Sequence, residues 1–169
     1  LVYTKYYRDN NLLSTTYFYC TKIDPYQSIE ITFYLTGKIN SINLRNNFSL
    51  TTTEFFDSGE LKAHKFLLED TTDFISPDSY VIEYYKNGIV RTHYRLSYEK
   101  QKLVEYWDNG EIKITGYWIS MSNLLVDGYK EFDVTGKLIM KGRYKIDGDI
   151  YSGISKKDGL WKYYRNKKL

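Results

Sequence analysis

Few side chains in this chain have the types and spacing to do chemistry. The only histidines are His64 and His93, each five residues after the glycine of a repeated phrase, Gly59 and Gly88. Equal spacing puts the two imidazoles at equivalent points of neighbouring repeats, where they could share a ligand. A zinc site asks for three or four N or S donors, and this chain has no third histidine and one cysteine, Cys20. Both imidazoles therefore read as strand-surface groups. The carboxylates Glu69, Asp70 and Asp73, and the pair Asp147 and Asp149 around Gly148, offer oxygen ligands. Neither group has the alternating ladder and closing Glu of a calcium loop, and Asp147-Gly148 is accounted for as a turn. No nucleophile elbow, phosphate-cradling glycine loop or helical histidine pair occurs. The expectation is a non-enzymatic chain with no catalytic residues, metal site or cofactor.

The charge distribution offers a different chemistry. Residues 137–169 hold ten Lys/Arg against three Asp, a net +7, and the preceding residues stand at −4, with 14 basic against 18 acidic. That basic end lies beside Tyr144, Trp161, Tyr163 and Tyr164. Cations for phosphates and aromatic rings for bases are what a single-strand-binding sheet uses, so nucleic acid or another polyanion is one predicted partner class. The plainer reading is a solvated end whose aromatics pack within their own repeats.

The elements that must position these groups announce themselves by repetition. Seven phrases share one pattern: Tyr6-Tyr7-Arg8-Asp9-Asn10, Phe33-Tyr34-Leu35-Thr36-Gly37, Phe55-Phe56-Asp57-Ser58-Gly59, Tyr84-Tyr85-Lys86-Asn87-Gly88, Tyr106-Trp107-Asp108-Asn109-Gly110, Phe132-Asp133-Val134-Thr135-Gly136 and Tyr163-Tyr164-Arg165-Asn166-Lys167. An aliphatic residue follows two places after each: Leu12, Ile39, Leu61, Val90, Ile112, Leu138 and Leu169. Each phrase has the chemistry of a hairpin turn. A two-residue type I′ turn needs positive φ at both central positions, which Thr36, Ser58 and Thr135 resist. A three-residue loop closed by a left-handed residue needs it only where the chain has Gly five times and Asn10 once. Lys167 is the exception, so the last hairpin is expected to be the loosest.

That loop sets the pairing. The first aromatic of each phrase meets the later aliphatic across the hairpin, as Phe55 with Leu61 and Tyr106 with Ile112, and this face is predicted to be core. The second aromatic lies on the other face, beside mostly polar neighbours such as Lys38, Glu60 and Glu111. A band of Tyr34, Phe56, Tyr85, Trp107 and Tyr164 is thereby predicted as a partner-binding surface, since Tyr and Trp dominate interface hot spots.

Composition bounds the rest. A chain of 169 residues with 18% aromatics, including 19 Tyr, and two prolines suits an all-β body of one domain. No stretch keeps helical apolar spacing, so little or no helix is expected. No apolar run approaches the ~18 residues that a transmembrane helix requires. Cys20 sits in a strand-like run and reads as a small core residue. The chain opens on Leu1 without Met, which predicts a removed or omitted leader and points to export or the cell envelope. The segment 68–79, acidic at its start and holding Pro77, reads as an inserted loop.

Residues 80–169 resemble the bacterial variant of the MORN repeat. The matches are Tyr84-Tyr85-Lys86-Asn87-Gly88, Tyr106-Trp107-Asp108-Asn109-Gly110, Gly142-Arg143-Tyr144 with Asp147-Gly148, and Asp158-Gly159-Leu160-Trp161-Lys162-Tyr163-Tyr164, with Asp127-Gly128-Tyr129 as a second copy of the last element. Residues 1–79 keep the turn phrase but lack the Gly-x-Trp element. The resemblance implies an elongated antiparallel sheet of about seven hairpins with no active site, acting as a protein-protein interaction module. It also implies, as an alternative, an antitoxin or immunity protein that neutralises a co-encoded toxin and would then be cytoplasmic. The open edges of such an array predict a monomer or an edge-paired dimer.

Overall fold

Gly37, at φ 81°, shows how the sequence builds this fold. Its amide donates to the Tyr34 carbonyl at 2.9 Å, while the Tyr34 amide donates to the Lys38 carbonyl at 2.8 Å. Leu35, Thr36 and Gly37 therefore form a three-residue loop in which only the glycine needs the left-handed region. The same pair of bonds recurs at Phe56 with Gly59 and Glu60, at Trp107 with Gly110 and Glu111, and at Asp133 with Gly136 and Lys137.

The computed structural model describes residues 2–8, 11–19, 27–68, 76 and 78–164. Among them the chain is all-β, with thirteen strands and no helix. It divides into two compact units, Leu1–Gly88 and Ile89–Leu169. Cys20, Glu69, Asp70, Asp73, Pro77 and the turn residues of the first and last phrases lie outside the described residues.

Unit 1 is one antiparallel sheet in chain order: β1 (Val2–Arg8), β2 (Asn11–Tyr19), β3 (Gln27–Phe33), β4 (Ile39–Arg45), β5 (Ser49–Phe55), β6 (Leu61–Leu68) and β7 (Tyr80–Tyr84). Unit 2 is built the same way from β8 (Val90–Arg95), β9 (Gln101–Tyr106), β10 (Ile112–Ile119), β11 (Leu124–Phe132), β12 (Leu138–Asp147) and β13 (Ile154–Tyr163).

The expected pairing holds at Phe33 with Ile39, Phe55 with Leu61, Tyr106 with Ile112 and Phe132 with Leu138. Immediately beyond each pair the register slips by one residue, leaving a bulge at Asn40, Lys62, Lys113 and Ile139. The first hairpin departs from the pattern. Tyr7, not Tyr6, pairs with Leu12, and the register slips between Tyr6 and Tyr7.

The expectation of a buried first-aromatic face needs correcting. Phe33, Phe55, Tyr106 and Phe132 are half-buried, Tyr6 is 61% exposed, and Ile39 and Ile112 are exposed. A sheet of one layer has nothing to bury its faces against, so only small or well-shielded groups leave solvent. Among the described residues these are Thr15, Ser41, Ala63, Ser79 and Val81 in unit 1. Unit 2 does better, where Ile119, Leu124 and Val126 form a cluster flanked by Ile146 and Ile150.

Candidate functional site

Directly paired residues of antiparallel strands point to the same side of the sheet, so register assigns each face. In unit 1 the second-aromatic side is polar. Thr32 Oγ1 and Ser41 Oγ share a hydrogen bond at 2.8 Å, the Asn43 amide donates to Glu30 at 3.0 Å, and Glu54 takes Lys65 at 2.6 Å and Lys62 at 3.4 Å. The bond from Lys65 is the main reason the Glu54 carboxyl is held below its ordinary range. Unit 2 repeats the theme at Glu105, which meets Arg91 at 3.3 Å and Lys113 at 3.0 Å. Glutamate stands just before the first aromatic at Glu54, Glu83, Glu105 and Glu131.

The predicted band is distributed as follows. Tyr34 Oη donates to the Phe55 carbonyl at 2.6 Å, and Trp107 Nε1 donates to the Phe132 carbonyl at 3.1 Å. Each bond runs from the second aromatic of one hairpin to the first aromatic of the next. Phe56 lies under Lys86 Nζ at 5.7 Å, and Trp107 lies under Lys113 Nζ at 4.9 Å. Tyr34, Phe56, Tyr85 and Trp107 are half-buried. Tyr164 is exposed, with Lys141 Nζ 5.9 Å from its ring centroid and its amide bonded to the Ile139 carbonyl at 2.8 Å. The polar ends of Tyr34 and Trp107 are thus spent on joining hairpins, which sequence spacing does not reveal because the acceptors are backbone atoms 21 and 25 residues away.

The two histidines do not act together within either unit. His64 belongs to unit 1, where its Nδ1 lies 3.1 Å from Thr53 Oγ1 and its ring sits 6.0 Å from that of Tyr80, and His93 belongs to unit 2. Asp149 caps its own turn, accepting from the amides of Tyr151 at 2.7 Å and Ser152 at 2.8 Å and from Ser152 Oγ at 2.8 Å. The backbone bond from Ser152 leads the causes that lower its carboxyl. Asp147 is paired with Lys156, whose bond lowers that carboxyl too. No group of three or more metal-ligating side chains occurs among the described residues.

The first-aromatic side differs in character between the units. In unit 1 two cross-strand rows run Thr15, Ile31, Ile42, Thr53, His64, Ile82 and Tyr17, Ile29, Leu44, Thr51, Phe66, Tyr80. This side is mostly apolar, with Thr15, Thr51, Thr53 and His64 as its polar members, and no element of unit 1 among the described residues lies over it as a second layer. Leu44 is 45% exposed. Beside it the surface dips into a hollow of about 430 Å³ lined by Gln27, Ile29, Leu44, Arg45 and Thr51, among others.

In unit 2 the same side is cationic. Lys130 is paired directly with Lys141, and Lys141 directly with Lys162. Arg143 faces Gly128, and Lys102 faces Tyr117. These groups line a trough of about 400 Å³ with Thr115 on its floor and Leu160, 78% exposed, at its rim. Among the described residues only Arg143 of these five cations has an ion pair, with Asp127 at 3.4 Å. Asp127 is held more closely by Lys100, at 2.8 Å, the first cause of its lowered carboxyl.

Behind the trough an aromatic cluster stiffens the sheet. Trp161 meets Tyr144 edge-on at 4.9 Å, and Tyr129 meets Tyr144 edge-on at 5.4 Å. Burial pushes the Tyr129 phenol strongly upward. Trp161 lies against Gly142, where a Cβ would stand 2.3 Å from the indole. The Gly-x-Tyr and Gly-x-Trp elements of the sequence are these contacts.

Fold and faces together define an all-β array of antiparallel hairpins whose repeats share one backbone plan and carry different chemistry on one side. No protein-family model matches the chain, and no curated protein matches it.

Proposed function

We propose that this chain is a non-enzymatic interaction module, MORN-like in plan, that binds a protein through the apolar side of the unit 1 sheet. The observation that supports this reading is the pair of rows through Ile31, Ile42 and Ile82 and through Ile29, Leu44 and Phe66, half-exposed with no second layer from unit 1 over them. Apolar surface left in contact with water costs roughly 25 cal/mol per Å², and a partner that covers it recovers that free energy. The second-aromatic side is less suited, because its carboxylates are matched by lysines and two of its aromatic donors are already bonded.

The test is capture of partners from the cells that make the protein, with wild type and with the variant Leu44→Lys. An exposed leucine tolerates replacement with little change in stability, so the variant should melt within a few degrees of wild type. A specific protein retained by wild type and lost by the variant is the expected result. Equal retention by both would move the interface elsewhere, and sedimentation of the pure chain as a dimer that L44K dissolves would make the partner a second copy.

A further inference from the structure

We propose a second, independent site: the cationic trough of unit 2 binds the phosphate backbone of single-stranded nucleic acid.

The first argument is the placement of like charges. Lysines directly opposite one another in an antiparallel sheet repel, and proteins ordinarily set opposite charges there. On its other side this chain brings opposite charges together from diagonal and bulge positions, where Glu54 collects Lys62 and Lys65 and Glu105 collects Arg91 and Lys113. In the trough it does the reverse. Lys130, Lys141 and Lys162 stand side by side on three adjacent strands, about 4.8 Å apart at the backbone, and none has a carboxylate partner among the described residues. Arg143 and Lys102 extend the patch along the strands by one further row. An arrangement that destabilises the free protein is relieved when a multiply charged anion sits across it.

The second argument is equivalence within the repeat. Five residues after the glycines of the successive phrases the chain has Ile42, His64, His93, Thr115 and Lys141. The backbone plan is unchanged, so lysine at the last position is a substitution of chemistry on a fixed scaffold. Its direct neighbour Lys130 falls where unit 1 has Ile31, two residues before the first aromatic.

The third argument identifies the anion. The trough is open to solvent across a sheet face, whereas sites for small molecules enclose most of their ligand. A chain-like ligand passing over the face fits better. Acidic peptide is disfavoured, because strand addition needs free backbone groups and those of this face are spent in the ladder. Tyr117, 44% exposed and with Lys100 Nζ 5.4 Å from its ring centroid, and Leu160 offer flat and apolar surface beside the cations. Bases with an accessible π-face can use that surface while the phosphates lie on the lysines.

The experiment is fluorescence anisotropy of a labelled oligothymidylate of about 20 nucleotides, longer than one binding face, with the full chain across a salt series. If all five cations engage phosphates, log affinity falls against log salt with a slope of about −3.5, or about a hundredfold between roughly 50 and 200 mM. The variant Lys130→Gln with Lys141→Gln and Lys162→Gln should bring the slope to about −1.4. Removing the same charge elsewhere, as Lys38→Gln with Lys62→Gln and Lys86→Gln, should leave it unchanged. Circular dichroism reports whether the triple variant folds, and Lys141→Gln alone, expected to change the slope by about 0.7, serves if it does not. The proposal is overturned by no binding at about 50 mM salt, by equal losses in the two triple variants, or by polyglutamate of equal charge competing as well as the oligonucleotide.

Discussion

The phenol of Tyr34 and the carbonyl of Phe55 are joined by a 2.6 Å hydrogen bond that crosses from one hairpin to the next. Trp107 and Phe132 reproduce it with an indole N–H at 3.1 Å. In a sheet with so little buried surface, such cross-hairpin bonds supplement the backbone ladder at the hairpin tips. Tyr34→Phe keeps the ring and deletes only the donor, and Trp107→Phe keeps an aromatic ring while deleting the indole N–H, so each should cost about 1 kcal/mol for the lost bond. Trp107→Phe also weakens the contact with Lys113 and should be the more costly. Chemical denaturation measures both, and variants as stable as wild type would show that the bonds add nothing to the ladder.

Gly142 should resist replacement for a steric reason. Gly142→Ala drives a methyl into the Trp161 indole, whose nearest carbons would stand 2.3, 2.5 and 2.7 Å away. Overpacking of this kind costs about 1–3 kcal/mol and should disturb tryptophan fluorescence. In a Trp161→Ala background the same glycine change should cost much less. A cost that persists without the indole would place the strain in the backbone.

Glu54 predicts an acid limb for unit 1. Its carboxyl is lowered from 4.5 chiefly by the bond from Lys65. A carboxyl depressed on folding contributes stability that is fully present above the unfolded value and lost as pH falls through the lower folded value. Stability should therefore decline below about pH 4.5, and Glu54→Gln should flatten that decline while lowering stability at neutral pH. An unchanged acid limb in the variant would assign the decline to other carboxylates.

Much of this fold is legible locally. Thr36, Ser58 and Thr135 resist positive φ, and that resistance is enough to choose the three-residue loop found at Gly37, Gly59 and Gly136. In the first phrase Tyr6 and Tyr7 are both aromatic, so residue type does not tell the phase of the strand, and it is Tyr7 that pairs with Leu12. The basic end was visible in the charge count from residue 137 onward. Lys102 and Lys130 lie before it, outside that count, and join it only in the trough. At the same repeat positions, two and four residues ahead of the first aromatic, the phrase at Phe33 carries Ile31 and Ile29 and the phrase at Tyr84 carries Ile82 and Tyr80.

The sequence by itself determined where the chain turns and which residues alternate, because backbone preference at a glycine and the two-residue period of a strand are properties of neighbours along the chain. Only the tertiary structure decided that the first-aromatic side is left half-open and that Lys130, Lys141 and Lys162 stand together. Those facts depend on the presence or absence of a covering layer, and on bulges such as the slip between Lys141 and Arg143 that set one strand against the next. Register is a relation between distant segments, and a one-residue slip would have scattered the same lysines over both faces.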